Sequence, residues 1–470
     1  MSAAVIESRS PQAPGELILS CPAVDRRGVA GAFVAAREAA AAWQLSPASE
    51  RADALTSAAA TVAANADELC DLVVREVGKP VVEARGEIAR AVSILRFHAQ
   101  AALLGDGETH PTLPPMAGDA IVMSRRRPRG VAGLITPWNF PIAIPLWKAA
   151  PALAYGNAVV LKPSPQATAT ALRVAEMMGE HLPTDVFTVL PGDRETGEAL
   201  VAEADVLSFT GSTLVGRAVT RAAAERGITI QCEMGGCNAS IVLPDADVES
   251  AARNIVASAM GYAGQKCTAT SRIIVVGNPV PLTEALAAAV DTLTTGDPAD
   301  PFTVVGPVIS EAARERVLAA AHDGGRVIRG GTATETDGYF VAPTLVDSLG
   351  PDALLVREEV FGPVAAILSA PDRNQAVALN ASVPHGLVTS VFTADLDAAL
   401  WFAAQLRTGM IRINQPTSGV DFHAPFGGEG SSSYGPREQG LAARELYTAT
   451  HTISVAPPAG AHAGGQSRRG

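Results

Sequence analysis

Short apolar runs alternate with helix-like stretches along the chain after Gly130. The runs at 131–135, 158–161, 186–190 and 206–209 are rich in branched aliphatic residues, and helical patterns separate them. Strands that are apolar at nearly every position are typical of a parallel sheet whose two faces are covered by helices. The pattern therefore predicts an α/β domain built on a parallel sheet.

The same alternation resumes after Ser240. Apolar runs occur at 241–243, 272–276, 365–368 and 390–393, again with helical segments between them. A chain of 470 residues is too long for one hydrophobic core and suits two or three domains. Two α/β domains are the simplest prediction.

The residues before the first sheet are predicted to be mainly helical. Alanine-rich segments with intermittent charges run over 23–64 and 67–102, and the second is broken at 78–80. Such segments are typical of amphipathic helices packed on a sheet. The segment 105–118 is dense in glycine and proline, which predicts a loop, and 120–128 is predicted to be a strand. We interpret the three arginines that end this strand as a solvated strand end or a contact between subunits.

Composition restricts the class of protein. Charged residues make up 18% and hydrophobic residues 47% of the chain, which predicts a well-buried globular protein. The net charge of −12 argues against nucleic acid or an anionic membrane surface as the main partner. The most apolar stretch, 131–160, contains Asn139, Lys148, Asn157 and four prolines, so we predict no membrane span.

The chain has five cysteines: Cys21, Cys70, Cys232, Cys237 and Cys267. None belongs to a Cys-x-x-Cys pair or to a Cys/His cluster with zinc-ligand spacing, so we predict no metal site and a reducing, cytoplasmic environment. Cys21, Cys70 and Cys232 are interpreted as small buried hydrophobes. The segment 1–14 carries charges and has no long apolar core, so it is not expected to be a signal peptide.

Two short motifs contain the residue types of covalent catalysis. Glu233 precedes Met-Gly-Gly, and 34 residues later Cys267 stands in Gly-Gln-Lys-Cys-Thr. A thiolate is a nucleophile and a carboxylate is a general base, so the pair suggests chemistry on one carbon atom. Upstream, Asn139 in Pro-Trp-Asn-Phe-Pro could donate its side-chain amide to an oxyanion.

These motifs resemble the aldehyde dehydrogenase superfamily, together with the downstream string Glu-Glu-Val-Phe-Gly-Pro-Val at 358–364. The resemblance runs from about Ala30 to Val455. It implies two Rossmann-like parallel-sheet domains and a small β flap through which subunits assemble as a homodimer or homotetramer. The divisions that follow are an NAD(P)-binding domain at 1–105 and 130–232, a catalytic domain at 233–446, an oligomerisation flap at 106–129 and 447–457, and a disordered tail at 458–470.

Resemblance and local pattern both indicate a nucleotide site. A predicted strand at 205–210 is followed by Gly-Ser-Thr-Leu-Val-Gly at 211–216 and then by a predicted helix at 217–226. Glycines let a backbone approach a pyrophosphate, and a helix N-terminus offers free amides. The residues predicted to bind the cofactor are Ile135, Thr136, Pro137, Trp138, Lys162, Ser164, Gly192, Phe209, Thr210, Gly211, Ser212, Gly216, Met234, Gly235, Glu359 and Phe361.

The choice between NADP and NAD turns on one position. Lys162 matches the family lysine that touches the adenosine ribose, and three residues later the family usually has an acidic residue that holds both ribose hydroxyls. Here that position is Pro165. Losing the carboxylate removes repulsion of a 2′-phosphate, which Lys162 and the Ser164 hydroxyl could bind. We therefore favour NADP over NAD. Glu359 and Phe361 match residues that hold the nicotinamide ribose.

By resemblance, the reaction is aldehyde oxidation in two stages. Cys267 attacks the aldehyde while Asn139 and the Cys267 backbone N–H hold the oxyanion, and Glu233 then activates water to hydrolyse the thioester. A glutamate at this position favours hydrolysis over transfer to coenzyme A, and the intact set of site residues argues against a non-enzymatic protein. Lys148 matches a family lysine near the site, and a structural role is an equal alternative.

The substrate is indicated only by branch-level similarity. The strings at 140–151, 264–272 and 432–440 resemble the branch that oxidises 2,5-dioxopentanoate (α-ketoglutarate semialdehyde). At Cys237 and at Glu429-Gly430 this sequence differs from the residues that relatives commonly have there. A biosynthetic enzyme with another specialised aldehyde is therefore the alternative, with succinate semialdehyde and a phosphonic aldehyde among the possibilities. The residues expected to contact the substrate are Phe140, Trp147, Thr268 and His423, with an arginine as a further choice for a carboxylate.

Overall fold

The computed structural model describes residues 4–105, 107–112, 120–334 and 337–456. The strands of this part of the chain are β1 Val5–Arg9, β2 Leu17–Pro22, β3 Gly107–His110, β4 Ile121–Pro128, β5 Val131–Ile135, β6 Ala158–Lys162, β7 Phe187–Val189, β8 Val206–Gly211, β9 Thr229–Met234, β10 Asn238–Val242, β11 Thr270–Val276, β12 Arg326–Arg329, β13 Thr344–Asp347, β14 Val364–Ala370, β15 His385–Gly386, β16 Val388–Phe392, β17 Met410–Ile413, β18 Glu429–Gly430, β19 Ser433–Tyr434 and β20 Thr448–Val455.

The α-helices of the same residues are α1 Arg26–Trp43, α2 Ala48–Ala64, α3 Ala66–Val77, α4 Val81–Ala102, α5 Ala143–Ala154, α6 Thr168–Gly179, α7 Arg194–Glu203, α8 Thr213–Arg226, α9 Val248–Met260, α10 Val280–Asp291, α11 Glu311–Ala321, α12 Leu354–Arg357, α13 Arg373–Asn380, α14 Leu396–Gln405 and α15 Arg444–Tyr447. Short 3₁₀ turns occur at Pro165–Ala167, Gly261–Gly264 and Gly440–Ala443. No described helix is long and apolar enough to cross a membrane.

The first sheet has six strands in the order β19-β9-β8-β5-β6-β7. All neighbours pair in parallel except β19, which is antiparallel to β9. One face buries residues of α1, α7 and α8, and the other buries residues of α2 to α6. Because strands covered on both faces exclude water along their whole length, their apolar runs are visible in the sequence.

The second sheet has seven strands in the order β12-β13-β14-β11-β10-β16-β17. Its neighbours pair in parallel except β12, which is antiparallel to β13. Helices α9, α10 and α11 pack on one face, and α13 and α14 pack on the other. The α/β class with two parallel-sheet domains, predicted from the alternation of apolar runs, is confirmed.

The third sheet is a small antiparallel one with the order β20-β4-β3. Strand β20 pairs with β4 along its whole length, from Thr448 opposite Pro128 to Val455 opposite Ile121. The three arginines near the end of β4 lie within this pairing. Arg126 contacts Glu445 and the Thr448 hydroxyl. This sheet coincides with the segments proposed as the oligomerisation flap. The proposed tail at 458–470 lies outside the described residues.

Two sequence predictions about element boundaries are wrong. The segment expected to be a loop contains strand β3, because its backbone pairs with β4 despite its high glycine content. The helix expected to begin at Arg217 begins at Thr213, where the Ser212 hydroxyl accepts a hydrogen bond from the Val215 amide at 3.4 Å. The break expected at 78–80 is present: Gly78 ends α3 in a left-handed conformation with φ 67°.

Candidate active site

The loop that carries Cys267 is built from backbone that few residues can adopt. Tyr262 and Ala263 have φ values of 56° and 51°, and Gly264 follows with φ 65°. A Cβ atom at Gly264 would lie 2.1 Å from the carbonyl oxygen of Gly362, so only glycine fits there. This tight turn after helix α9 brings Cys267 to the carboxyl end of the first sheet.

Side-chain amides then fix the backbone of the loop. The Asn139 amide donates to the Gln265 carbonyl oxygen at 2.9 Å, and the Asn238 amide donates to the Cys267 carbonyl oxygen at 2.7 Å. Gln265 is itself held, because it donates to the Pro307 carbonyl and accepts from the Ile309 amide. The oxyanion candidate Asn139 is therefore tied to the loop of the nucleophile candidate two residues before Cys267.

Glu233 lies near the end of β9, where two donors hold its carboxylate. The Ser433 hydroxyl donates to one oxygen at 2.5 Å, and the Gln231 amide donates to the other at 2.9 Å. Ser433 is in place because β19 pairs with β9 directly opposite Glu233. Burial raises the pKa of the Glu233 carboxyl well above its usual value, and the negative charge of Glu438 raises it further. A raised pKa suits a general base that works near neutral pH.

Behind Glu233 lies a buried ion pair between Lys148 and Glu438. The Lys148 ammonium also donates to the Ser208 hydroxyl at 2.7 Å and to the Gln231 side-chain oxygen at 3.4 Å. Gln231 in turn touches Glu233, so the pair is linked to the catalytic carboxylate through one side chain. Lys148, left open between two roles by the sequence, thus belongs to a network that ends at Glu233.

Cys267 is partly exposed in the wall of a cavity of about 340 Å³. Glu233, Asn139 and Glu359 line the same cavity, together with the apolar side chains of Ile144 and Phe426. Burial raises the pKa of the Cys267 thiol, and the negative charges of Glu359 and Glu233 raise it further. The thiol is therefore protonated in this state, and attack on a carbonyl requires the proton to leave.

A larger cavity of about 920 Å³ lies elsewhere, beside Thr283, Asp347 and Leu379. None of the predicted site residues lines it. We place the chemistry in the smaller cavity, because a thiol, a carboxylate with a raised pKa and a buried amide converge there.

The cofactor residues predicted from the sequence gather at the carboxyl edge of the first sheet. Thr136 follows β5 and Thr210 lies at the end of β8, and both hydroxyl groups are buried without a hydrogen-bond partner among the described residues. Buried polar groups normally have partners, so these hydroxyls fit a bound polar ligand. Ile135 ends β5, and Pro137, Trp138, Gly211 and Ser212 line the cavity next to them.

Glycines let the chain pack closely at this cleft, where a ligand could approach the backbone. A Cβ atom at Gly211 would lie 2.6 Å from the Phe209 ring, and one at Gly216 would lie 2.5 Å from the Met234 sulfur. The first free amides of α8 follow Gly211, at a helix N-terminus that suits a pyrophosphate. The arrangement fits a dinucleotide.

Glu359 approaches the cavity from the catalytic domain. One of its oxygens accepts a hydrogen bond from the Gly236 amide at 3.1 Å, and a Cβ atom at Gly235 would lie 1.6 Å from the other. Burial raises the pKa of the Glu359 carboxyl to about 7. Next to it, the ring of Phe361 packs edge-on against Trp138 with centroids 5.7 Å apart. These contacts position the groups predicted to hold the nicotinamide ribose.

The predicted adenosine side of the cleft is formed by the end of β6 and the loop after it. The buried Lys162 ammonium donates to the Pro163 carbonyl at 2.7 Å, and burial lowers its pKa to about 8. The Ser164 hydroxyl donates to the Gln166 side chain at 2.6 Å. A Cβ atom at Gly192 would lie 2.0 Å from the Thr196 hydroxyl, so the chain passes close to α7 there.

The structure does not bring the predicted substrate residues together at the cavity. Trp147 is buried and packs against Phe426 with centroids 5.8 Å apart, while Phe140 is half-buried above the Lys79 ammonium. Thr268 is buried, whereas His423 is exposed. None of Phe140, Trp147, Thr268 and His423 is part of the described lining of the cavity. Its apolar lining includes instead Ile144, Ile309, Leu387 and Phe426.

Several site residues were missed by sequence reasoning. Gln231, Ser433 and Glu438 surround Glu233, and Asn238 and Gln265 hold the Cys267 loop. Gln231 stands next to a recognised motif and Gln265 lies inside one, whereas Ser433 and Glu438 lie in the string at 432–440 that was used only to choose a branch. A polar residue inside a glycine-rich motif was the available indication.

Comparison with known proteins places this site in a family. The sequence profile of the aldehyde dehydrogenase family matches residues 1–453. The α-ketoglutaric semialdehyde dehydrogenase of Bacillus subtilis (strain 168) is 37% identical, covering 91% of this chain and 89% of that protein. The aminoacetaldehyde dehydrogenase of Pseudomonas aeruginosa is also 37% identical, covering 94% and 91%.

Structural comparison agrees. The crystal structure of an NAD-dependent aldehyde dehydrogenase from Sinorhizobium meliloti superposes with a TM-score of 0.92 at 33% identity, covering 97% of this chain and 92% of that one. The match therefore spans both parallel-sheet domains and the β flap. The chain belongs to the aldehyde dehydrogenase family.

Proposed function

We propose that this enzyme oxidises a semialdehyde to the corresponding dicarboxylic acid with NADP or NAD, using Cys267 as nucleophile and Glu233 as base. The observation that carries the proposal is the convergence of Cys267, Asn139 and Glu233 on one cavity. That set matches what acyl transfer through a thioester requires: a nucleophile, an oxyanion donor and a base.

In the first stage the Cys267 thiol gives its proton to water, the sulfur bonds to the aldehyde carbon, and the carbonyl π electrons move to the oxygen, which becomes the oxyanion. The Asn139 amide has two N–H donors, of which one is used on Gln265, so the second is free for the oxyanion. The Cys267 backbone N–H is the second donor. Glu359 and Phe361 would hold the nicotinamide ribose of a cofactor, which would supply the hydride acceptor for oxidation of the carbon bonded to Cys267.

In the second stage Glu233 takes a proton from water as the water oxygen attacks the thioester carbon. The carbon–sulfur bond then breaks, the acid leaves, and the thiol is restored. Burial and the charge of Glu438 make the Glu233 carboxylate a stronger base than an exposed glutamate. The hydrogen bonds from Ser433 and Gln231 aim it without neutralising it.

For the substrate we propose 2,5-dioxopentanoate. The support is the string similarity at 140–151, 264–272 and 432–440, together with the names of relatives from Bacillus subtilis and other organisms. The alternative is another specialised aldehyde, such as succinate semialdehyde or a phosphonic aldehyde.

For the cofactor we propose NADP in preference to NAD, on the ground of Pro165 in the ribose loop. The carboxylate of Glu76 caps the first turn of α6, where it accepts from the Ala169 and Thr170 amides. Those amides are then taken, so Lys162 and Ser164 are left as partners for a 2′-phosphate. Replacing Pro165 with Glu should shift the ratio of catalytic efficiencies toward NAD. An unchanged ratio would refute the role of Pro165.

The proposed assembly is a cytoplasmic homodimer or homotetramer formed through the sheet of β3, β4 and β20. Ile121 and Val455 are both exposed on that sheet in the single chain. Light scattering of the purified protein measures the assembly directly.

The central experiment measures reduced-nicotinamide formation with 2,5-dioxopentanoate, succinate semialdehyde and a neutral aliphatic aldehyde. Cys267→Ala should abolish turnover while cofactor binding remains. Cys237→Ala is the matched control, because burial raises the pKa of that thiol to about 12 and it lies outside the cavity. Normal turnover in Cys267→Ala would overturn the proposal.

A further inference from the structure

We infer that Arg90 binds the negatively charged end of the aldehyde and so selects anionic substrates; this inference rests on the proposed function. Arg90 lies on α4 and is half-buried. It forms no hydrogen bond and no ion pair with any residue in the described part of the chain. An arginine carries five N–H donors, and a half-buried one is normally paired.

The charged groups around Arg90 are already engaged. The charged side chains that act on the Arg90 guanidinium are Glu87, Asp421, Glu83 and Arg412. Glu83 is bound by Lys266 at 2.6 Å, and Glu87 is bound by Lys79. Arg412 donates to the Gly419 carbonyl at 2.7 Å and to Gln415 at 2.9 Å, so its guanidinium is also partly satisfied.

The balance of charge in this region favours an anion. Lys79, Lys266, Arg90 and Arg412 are positive, whereas Glu83, Glu87 and Asp421 are negative. Asp421 is exposed, so water screens its attraction for Arg90. Arg412 keeps one buried N–H without a partner, but Arg90 is the cation of this group whose whole guanidinium forms no hydrogen bond with the described residues, which leaves it open to a carboxylate brought in by a ligand.

The position of Arg90 connects it with the active-site cavity. One turn before it, Glu87 accepts hydrogen bonds from the Ile142 and Ala143 amides at the start of α5. Helix α5 contributes Ile144 to the cavity wall, and the loop after Asp421 contributes Phe426. Arg90 is thus one turn along α4 from the residue that holds the start of α5, and Asp421, whose charge acts on it, lies five residues before Phe426.

The region is also tied to the nucleophile. Lys266, the residue before Cys267, forms its ion pair with Glu83 on α4, two turns before Arg90. Side chains on a helix tilt toward its N-terminus, which carries the Arg90 guanidinium back toward Glu87 and Glu83. An aldehyde carbon at Cys267 and a carboxylate at Arg90 can then belong to one extended molecule.

A positive charge at Arg90 distinguishes the substrates of two kinds of relative. At the same 37% identity, one relative is named for an aldehyde that carries a carboxylate and another for an aldehyde that carries an amine. A cation without a partner attracts the first kind of substrate and repels the second. The substrate class is therefore aldehydes that end in a carboxylate.

The test compares Arg90→Met with the parent enzyme on succinate semialdehyde, 2,5-dioxopentanoate, butanal and aminoacetaldehyde. Losing a charge-assisted contact should lower kcat/KM for the two anionic aldehydes by about 10- to 100-fold, mainly through KM. Butanal should be oxidised at the parent rate, which also shows that the variant is folded. Arg90→Lys should recover part of the loss.

Arg96→Met is the matched control, since Arg96 is exposed on the same helix. It should leave all four substrates unchanged. An equal loss on butanal and on the anionic aldehydes, or no loss on either, would overturn the role of Arg90, as would a parent preference for aminoacetaldehyde. If the parent oxidises none of the four, the proposed function itself fails.

Discussion

Two lysine–glutamate pairs are buried in this molecule, and they are put to different uses. Lys148 and Glu438 lie behind the Glu233 carboxylate, whereas Lys79 and Glu87 lie at the start of α5. All four side chains are almost completely removed from water. Burying a charge is unfavourable unless it is paired and hydrogen-bonded, so each pair must be satisfied by its surroundings.

The surroundings differ in kind. Lys148 is linked to Glu233 through the Gln231 side chain, and the charges of Lys148 and Glu438 both act on the pKa of the Glu233 carboxyl. Glu87 instead accepts two backbone amides at the start of α5, and Lys79 lies 3.7 Å from the centre of the Phe140 ring. The same pair of residue types therefore tunes a base in one region and positions a helix in the other.

The strongest test of the first region removes the base itself. Glu233→Gln keeps the shape and the hydrogen-bonding groups but cannot take a proton from water, so turnover should fall by about 10²- to 10⁴-fold. The first stage should persist, giving a burst of one reduced nicotinamide per active site in stopped-flow absorbance. A linear trace with no burst would mean that Glu233 acts before the thioester forms.

The second region should respond in stability. Glu87→Ala leaves the Lys79 charge buried without its partner and frees two amides, so the free energy of unfolding should fall by about 3–5 kcal/mol. Denaturant titration measures the loss. Lys79→Met combined with Glu87→Gln should recover most of it, because the glutamine oxygen still accepts from α5. A loss below about 1 kcal/mol in Glu87→Ala, the usual range for a surface pair, would remove the structural role.

The smallest effect is a shift along the pH axis. The Glu233 pKa is raised by burial and then by Glu438, and the base is active only when deprotonated, so the rate of hydrolysis rises as pH increases through that pKa. Glu438→Gln removes one negative charge and should move the acid limb of kcat to lower pH by about one unit. Glu87→Gln is the matched change in the other pair and should leave the limb in place. An equal shift of the acid limb in both variants would mean that the two ion pairs do not differ in their effect on Glu233.

Local pattern was enough for much of the fold, and it singled out three residues that the structure gathers at one cavity. The buried strands were visible because parallel sheets covered on both faces are apolar at every position, and Cys267, Glu233 and Asn139 stood in short motifs. The start of α8 was misplaced because Ser212, a residue of the glycine turn, also caps the helix. Strand β3 was missed because pairing with β4 overrides its glycine content.

What the sequence could not indicate are contacts between distant parts of the chain. Lys148 meets Glu438 across 290 residues, and Ser433 meets Glu233 across 200. Neither pair has a local pattern, since periodicity reports only which face a residue occupies. The four expected substrate residues were chosen by similarity alone, and none of them is in the described lining of the cavity, which includes Ile144 and Phe426.

Because β19 pairs with β9, the surroundings of Glu233 depend on a segment that is synthesised late. Ser433, which aims the Glu233 carboxylate, is made 200 residues after it, and a ribosome adds about 5 to 20 residues each second. The nucleotide cleft and the thiol loop are complete in the chain before the base has its hydroxyl partner. The Glu233 carboxylate therefore receives its Ser433 hydrogen bond only when the last tenth of the chain has been synthesised.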